Sequence, residues 1–455
     1  MSKAFDTVNI HKLIAKLLDT NIPNRIIKFL SNYLKGRQSY TILQNTKSTI
    51  SKVKTGVPQG GVLSPILFNI YMSDIPKPPK DVQLEIYADD MNTLSSHNKY
   101  KIAEQMIQPY LNEIFEWTKE NDLQLNATKS TSTLFTNDQS EFNNDLSLTI
   151  NNDVIPTIKH PKILGLTFDP KLNFGEHITK TKEKANKTIN IMKSLTSTKW
   201  GKQKETLLTT YKTITQPIIE YASTIWAPLV SDTNLNKLQI IQNSSLRIAT
   251  GCTRDTNCQH LHEETKILPL KEHLKLHSSQ LRQKSQLPSH PLHSLNINNP
   301  KSRFIRETIF HNKNYTINYD NNQNLFTENE VEENKKRIHT DTVNNYIQNK
   351  EKNNVLNQIA PEISKNEENI PREYRRILAQ LRTNKSPILY HYMNKINPTQ
   401  YPNPHCPLCK THIHDTHHLF NCNKMSCSKS SVSLWQDPEY VVSLLARWRG
   451  MGGLV

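Results

Sequence analysis

The sequence predicts a mixed α+β fold: strands and tight turns early, helices through the middle, and a small metal-bound module near the end. Three patterns carry that expectation. Val82-Gln83-Leu84-Glu85-Ile86 alternates apolar and polar residues, the period of a half-buried strand, and leads into Tyr87-Ala88-Asp89-Asp90. Between 176 and 250, apolar residues return at helical spacing. Cys406, Cys409 and Cys422 fall close together among several histidines.

Taken in order, Ile10, Leu13, Ile14, Leu17 and Leu18 mark a helix over 9–18, which Asp6 is expected to start near Asn9. Ile26, Ile27, Phe29, Leu30 and Tyr33 repeat the pattern over 24–34. Thr41 to Leu43 and Thr49 to Val53 are expected to pair as strands. The run Gly56-Val57-Pro58-Gln59-Gly60-Gly61-Val62-Leu63-Ser64-Pro65 follows. Its glycines let backbone approach a bulky polar ligand, and Ser64-Pro65 reads as an N-cap and first-turn proline. Two aspartates between strand-like runs place a hairpin tip at 89–90. Carboxylates there suit Mg2+, although aspartate also favours turns for ordinary reasons. Ile102, Met106, Tyr110, Ile114 and Phe115 then give an amphipathic helix over 101–120.

The whole chain sets further bounds. Its 455 residues suffice for roughly three domains, and its net charge of +16 suits a polyanionic partner. Hydrophobic residues make up only 35%, so part of the chain is expected to be loop, above all 290–370. No run of about 18 apolar residues exists to span a membrane, and no secretion signal is visible. Clustered cysteines point to metal rather than disulfides, and so to an intracellular home in nucleus or cytoplasm.

The glycine loop at 56–65 followed by Tyr87-Ala88-Asp89-Asp90 resembles the palm of a reverse transcriptase, specifically that of non-LTR (LINE-type), jockey-like retrotransposons. The resemblance covers most of the chain. It implies a palm, with antiparallel sheet and helices, over 1–140, and a palm–thumb hairpin and helical thumb over 141–260. A partly disordered linker (261–370), an arginine-bearing helix (371–400) and a zinc knuckle with its tail (401–440) would follow. In the family, the first catalytic aspartate stands three residues before the lysine of Lys-Ala-Phe-Asp. That lysine is Lys3, so the aspartate would fall ahead of Met1, as would the fingers. The expectation is a truncated polymerase, inactive or weak as written.

The resemblance also implies site residues. Asp89 and Asp90 would be catalytic and hold Mg2+ for two-metal nucleotidyl transfer. Lys129, in Asn126-Ala127-Thr128-Lys129, would protonate pyrophosphate. Phe5 would crowd the sugar 2′ position, with Gln59, Gly60 and Tyr87 also facing substrate. Leu164 and Gly165 would grip the primer. The partners implied are an RNA template, a DNA primer and dNTPs. Arg372, Arg375, Arg376 and Arg382 would supply charge beside the apolar stripe of Ile377, Leu378 and Leu381. The knuckle would bind Zn2+ through Cys406, Cys409, His417 and Cys422, spaced C-x2-C-x7-H-x4-C, with His418 as a rival ligand. Two other readings stand beside this one: a non-catalytic nucleic-acid-binding protein derived from a retroelement, and a maturase-like protein of the group II intron kind.

Overall fold

The computed structural model describes residues 4–197, 201–285, 287–293, 327–348 and 352–451. Two compact units divide at Lys171 and Leu172.

In the first unit, the Asn9 side chain caps helix Ile10–Leu18 by accepting from the backbone N–H groups of His11 (2.9 Å) and Lys12 (3.2 Å). Asp6, expected to start that helix, does not: Asn9 already satisfies the first turn, and Asp6 accepts from the Gln59 amide at 2.9 Å. Leu13 and Leu17 pack with Ile27, Leu30 and Leu34 of helix Asn24–Leu34, and with Leu67, Phe68 and Tyr71 of helix Ser64–Tyr71. Tyr71 donates to the Asn121 carbonyl and accepts from the Asn9 N–H, and burial pushes its phenol up to about 12. Ser64 lies inside its helix, one residue past the cap position, and its hydroxyl donates to the Pro58 carbonyl instead.

The strands are short. Ile42–Leu43 pairs with Thr46–Lys47 around a two-residue turn at Gln44 (φ 47°) and Asn45 (φ 65°), and Gln38–Ser39 pairs with Ser51–Lys52. The expected pairing of 41–43 with 49–53 is thereby corrected, because the left-handed turn fixes a tighter register. Residues 131–135 make only a bridge, from Ser132 to Thr157. All the sheets among the described residues are two-stranded, so small antiparallel hairpins replace the single palm sheet expected. Helix Tyr100–Glu120 covers the aspartate hairpin, with Tyr110 and Ile114 against Val82.

Backbone from the glycine loop is laced onto the short helix Ala4–Thr7. The Gly56 N–H donates to Val8 (2.7 Å) and the Val57 N–H to Phe5 (2.8 Å). Gly56 sits at φ 84°, and an added Cβ would lie 2.8 Å from backbone atoms of Asp6 and Phe5. Gly56→Ala is therefore expected to destabilise this unit by about 2–4 kcal/mol, from left-handed strain plus a backbone clash. Gly60→Ala, with open space around it, is expected to cost about 1–2 kcal/mol. Denaturant midpoints check the ranking.

Helices make up most of the second unit. Gly175–Ser194 packs on Asp232–Thr250. Helix Lys204–Thr210 widens into a π-turn at Tyr211–Thr215 before continuing as Gln216–Glu220. Pro217 explains this, since it has no N–H for the preceding turn and its ring crowds the carbonyl there. Cys258–Thr265, Leu270–Lys284 and Glu328–Gln348 are helical, so much of the stretch expected to be loose is ordered; residues 294–326 lie outside the described residues. Helix Arg372–Leu381 and helix Pro438–Gly450 enclose a core of Leu378, Leu381, Trp435, Leu444 and Trp448 that also contains Cys406 and Cys422. No helix among the described residues is long and apolar enough to cross a membrane.

Candidate functional site

Strands Val82–Tyr87 and Asp90–Ser95 pair with Tyr87 opposite Asp90, so Ala88 and Asp89 form the two-residue tip and Asp90 opens the return strand. Ala88 takes φ 53°, a left-handed conformation that costs a residue with a Cβ about 1–2 kcal/mol. Tyr87 is 67% exposed and Asp90 is exposed, so the tip faces solvent. The residue after Asp90 anchors it: Met91 packs against the core that holds Val57, Phe68 and Phe5. The aspartate hairpin and the glycine loop thus share a core, although not a sheet.

Of the predicted site residues, Phe5 packs against that core. Phe5 is half-buried and stacks on Phe68 with ring centroids 4.6 Å apart. Gln59 is exposed and held by Asp6. Gly60 (φ 79°) has no atom within 4 Å of where a Cβ would stand. Arg37 clasps the loop from behind, with its guanidinium donating to the carbonyls of Leu34 (3.0 Å), Thr55 (3.1 Å) and Gly56. Lys129 ends a 3-10 turn capped by Asn126, whose side-chain oxygen accepts from the Thr128 N–H at 2.8 Å. Leu164 (φ 45°) and Gly165 (φ 87°) form the tip of hairpin Lys162–Ile163 and Leu166–Thr167.

The reverse transcriptase (RNA-dependent DNA polymerase) family matches residues 1–168, a span that holds the glycine loop, the aspartate hairpin and the Leu164-Gly165 turn. The chain carries a reverse-transcriptase domain of the LINE-type, jockey-like kind. Its similar proteins include a probable RNA-directed DNA polymerase from transposon BS of Drosophila melanogaster, 28% identical over 287 residues (61% of this chain, 31% of that protein). A probable RNA-directed DNA polymerase from transposon X-element of the same fly is 28% identical over 309 residues, 67% of this chain and 34% of that protein. The RNA-directed DNA polymerase from mobile element jockey of Drosophila funebris is 27% identical over 270 residues, 57% of this chain and 29% of that protein. The chain thus spans about a third of the length of these relatives. Each alignment exceeds 168 residues, so the likeness runs beyond the reverse-transcriptase domain itself.

A second candidate centre lies in the other unit. Cys406, Cys409, Cys422 and His418 bring one ligand atom each to within 4.8 Å of one another. Cys406 Sγ and Cys422 Sγ are 3.8 Å apart, and Cys409 Sγ is 3.4 Å from His418 Nε2. A tetrahedral zinc with bonds of about 2.3 Å to sulfur and about 2.0–2.1 Å to nitrogen has edges of about 3.8 and 3.6 Å. The donor set and its spacing therefore fit Zn2+. His418 replaces His417 in this set. His417 is exposed and sits against Asn421, whereas His418 turns inward from helix Thr416–Asn421, capped by Asp415. The spacing becomes C-x2-C-x8-H-x3-C. His418 and Cys422 stand four residues apart, a spacing that puts helical neighbours on one face, and that signal was available in the sequence.

The arginine helix differs most from expectation. Arg372 donates to the carbonyls of Lys202 (2.9 Å), Ile248 (2.9 Å) and Ala249 (3.2 Å), closing the end of helix Asp232–Thr250. Arg375 grips Glu205 with both terminal nitrogens. Arg382, 3% exposed, donates to both Glu264 oxygens at 3.0 Å, to Glu367 and to the Leu434 carbonyl. These three arginines are buried and bound to protein, so they are not an open surface for phosphate. The basic positions that do face solvent include Lys180, Lys184, Lys187 and Lys193 on helix Gly175–Ser194.

Proposed function

We propose that this chain is part of an RNA-directed DNA polymerase whose reacting site is the Asp89–Asp90 tip set against the glycine loop. The observation that carries this is Met91 and Val57 sharing one core, with Phe5 stacked beside them. Asp89 and Asp90 offer the oxygen donors that Mg2+ takes. When bound, that ion supplies charge stabilisation to the attacking and leaving oxygens. Gly60 leaves room for a phosphate or sugar to approach backbone, Phe5 limits the space beside the sugar, and Lys129 delivers a proton to the departing pyrophosphate. Leu164-Gly165 meets the primer strand. The lysine face of Gly175–Ser194 neutralises phosphates of an RNA–DNA duplex, without reading sequence. The workplace of such a chain is inside the cell, with template, primer and dNTP as partners.

Both groups of three or more metal-type side chains among the described residues lie outside the Asp89 hairpin. With both carboxylates drawn from one hairpin tip, the chain is expected to polymerise at background level. Primer extension on oligo(dT)-primed poly(rA) with Mg2+ tests both parts of the proposal. A background rate that Asp89→Ala leaves unchanged is the expected result. Robust incorporation, lost in Asp89→Ala, would overturn the inactivity. Robust incorporation that survives Asp89→Ala would overturn the site.

A further inference from the structure

We propose that Glu220, His273 and His277 form a metal site, separate from the cysteine centre, for a divalent transition ion of the Zn2+ class. His273 and His277 stand four residues apart on helix Leu270–Lys284, so both rings leave one face. Their centroids are 4.5 Å apart. Glu220 ends helix Gln216–Glu220 and brings Oε1 to 3.1 Å from His273 Nε2. The three ligand atoms lie within 4.8 Å of one another. Bonds of about 2.0–2.2 Å from one ion reach all three after small side-chain rotations.

Surrounding groups agree with this. The Gln216 amide donates to Glu220 Oε1 at 2.8 Å, an outer contact that holds the carboxylate in place. All three ligating side chains are half-buried, which screens them from water without sealing the site. Two imidazoles and one carboxylate leave a fourth position open. That position borders a cleft of about 280 Å³, lined in part by Ser223, Gln280, Lys284 and Lys335. Both lysines share Glu332, at 3.9 and 3.4 Å, so only part of their charge near the ion is offset. They favour an anionic oxygen, hydroxide or phosphate, as the fourth ligand. The bound ion would join two helices that the π-turn at Tyr211–Thr215 and Pro217 brings into place.

The test uses the full chain, stripped with chelator and titrated with Zn2+ and then Co2+. The parent chain is expected to bind two equivalents and Cys409→Ser one. The Co2+ form of Cys409→Ser is expected to show ligand-field bands without thiolate charge transfer. Adding His273→Gln and His277→Gln to Cys409→Ser should remove the remaining equivalent, together with the rise in unfolding temperature that Zn2+ gives. Glu220→Gln alone, the mildest change, should weaken that equivalent at least tenfold while helical circular dichroism is retained. Retention of the equivalent in the His273→Gln, His277→Gln background, or no metal bound by Cys409→Ser, would overturn the proposal.

Discussion

Arg382→Ala is expected to destabilise the helical unit by about 3–5 kcal/mol, because it leaves two buried carboxylates without their main partner. Glu264 and Glu367 are 9% and 2% exposed, and Lys204, at 3.1 and 3.5 Å, cannot replace a guanidinium that bonds both. Trp435 lies beside the same guanidinium, its ring centroid 5.9 Å away. Arg382→Lys is expected to recover little, since an ammonium lacks the planar fork that meets two carboxylates and a carbonyl together. Acid provides a second readout. Although burial alone would raise its pKa, Arg382 and Lys204 together hold the Glu264 carboxyl below its usual range. A carboxylate with a depressed folded pKa adds stability above its unfolded value, near 4.5, and that stability is lost as pH falls through the folded value. The parent chain should therefore lose stability steeply below about pH 4.5. Arg382→Ala should show a flatter acid limb. Urea midpoints measured from pH 3 to pH 7 check both.

The cysteine centre is expected to bind Zn2+, and removal of that ion to dismantle the C-terminal module. Cys406 and Cys422 are 1% and 2% exposed and belong to the core that also holds Leu381, Trp435 and Trp448. Structural zinc contributes on the order of 10–16 kcal/mol of apparent free energy in small zinc-dependent folds. Chelation should shift the emission of Trp435 and Trp448 towards that of exposed indole, and readdition of Zn2+ should reverse the shift. His418→Ala and Cys422→Ser should mimic the chelator, while His417→Ala should keep its metal. Cys427→Ser should also keep it, because the Cys427 thiol faces the Leu419 carbonyl rather than the cluster.

Much of the reverse-transcriptase domain was legible because its signals are local. The glycine loop, the alternation at 82–86 and the helical faces over 9–18 and 24–34 each need only a few neighbouring residues to be read. The size of the sheets was not legible, since a strand's partners depend on what else packs beside it. Hairpin turns at Gln44-Asn45 and Leu164-Gly165 show the same limit: Gly165 announces its turn, while Gln44 adopts φ 47° without a glycine to mark it. Charge on helix Arg372–Leu381 was visible, but its use was not. Arg375 and Arg382 share the phase of Leu378, a hint of burial, yet their partners Glu205 and Glu264 stand 170 and 118 residues away in the chain. The choice between His417 and His418 turned on one step of helix phase, which the position of Cys422 fixes.

The measurement closest to the core of this account is localised cleavage by Fe2+ substituted for Mg2+, with ascorbate and peroxide, on the folded chain. A metal bound at the Asp89 tip beside the glycine loop predicts backbone cuts in two stretches distant in sequence, 56–61 and 86–91, and the loss of both in the Asp89→Asn, Asp90→Asn double variant. Cuts that spare one stretch, or a pattern that the double variant leaves unchanged, would contradict it.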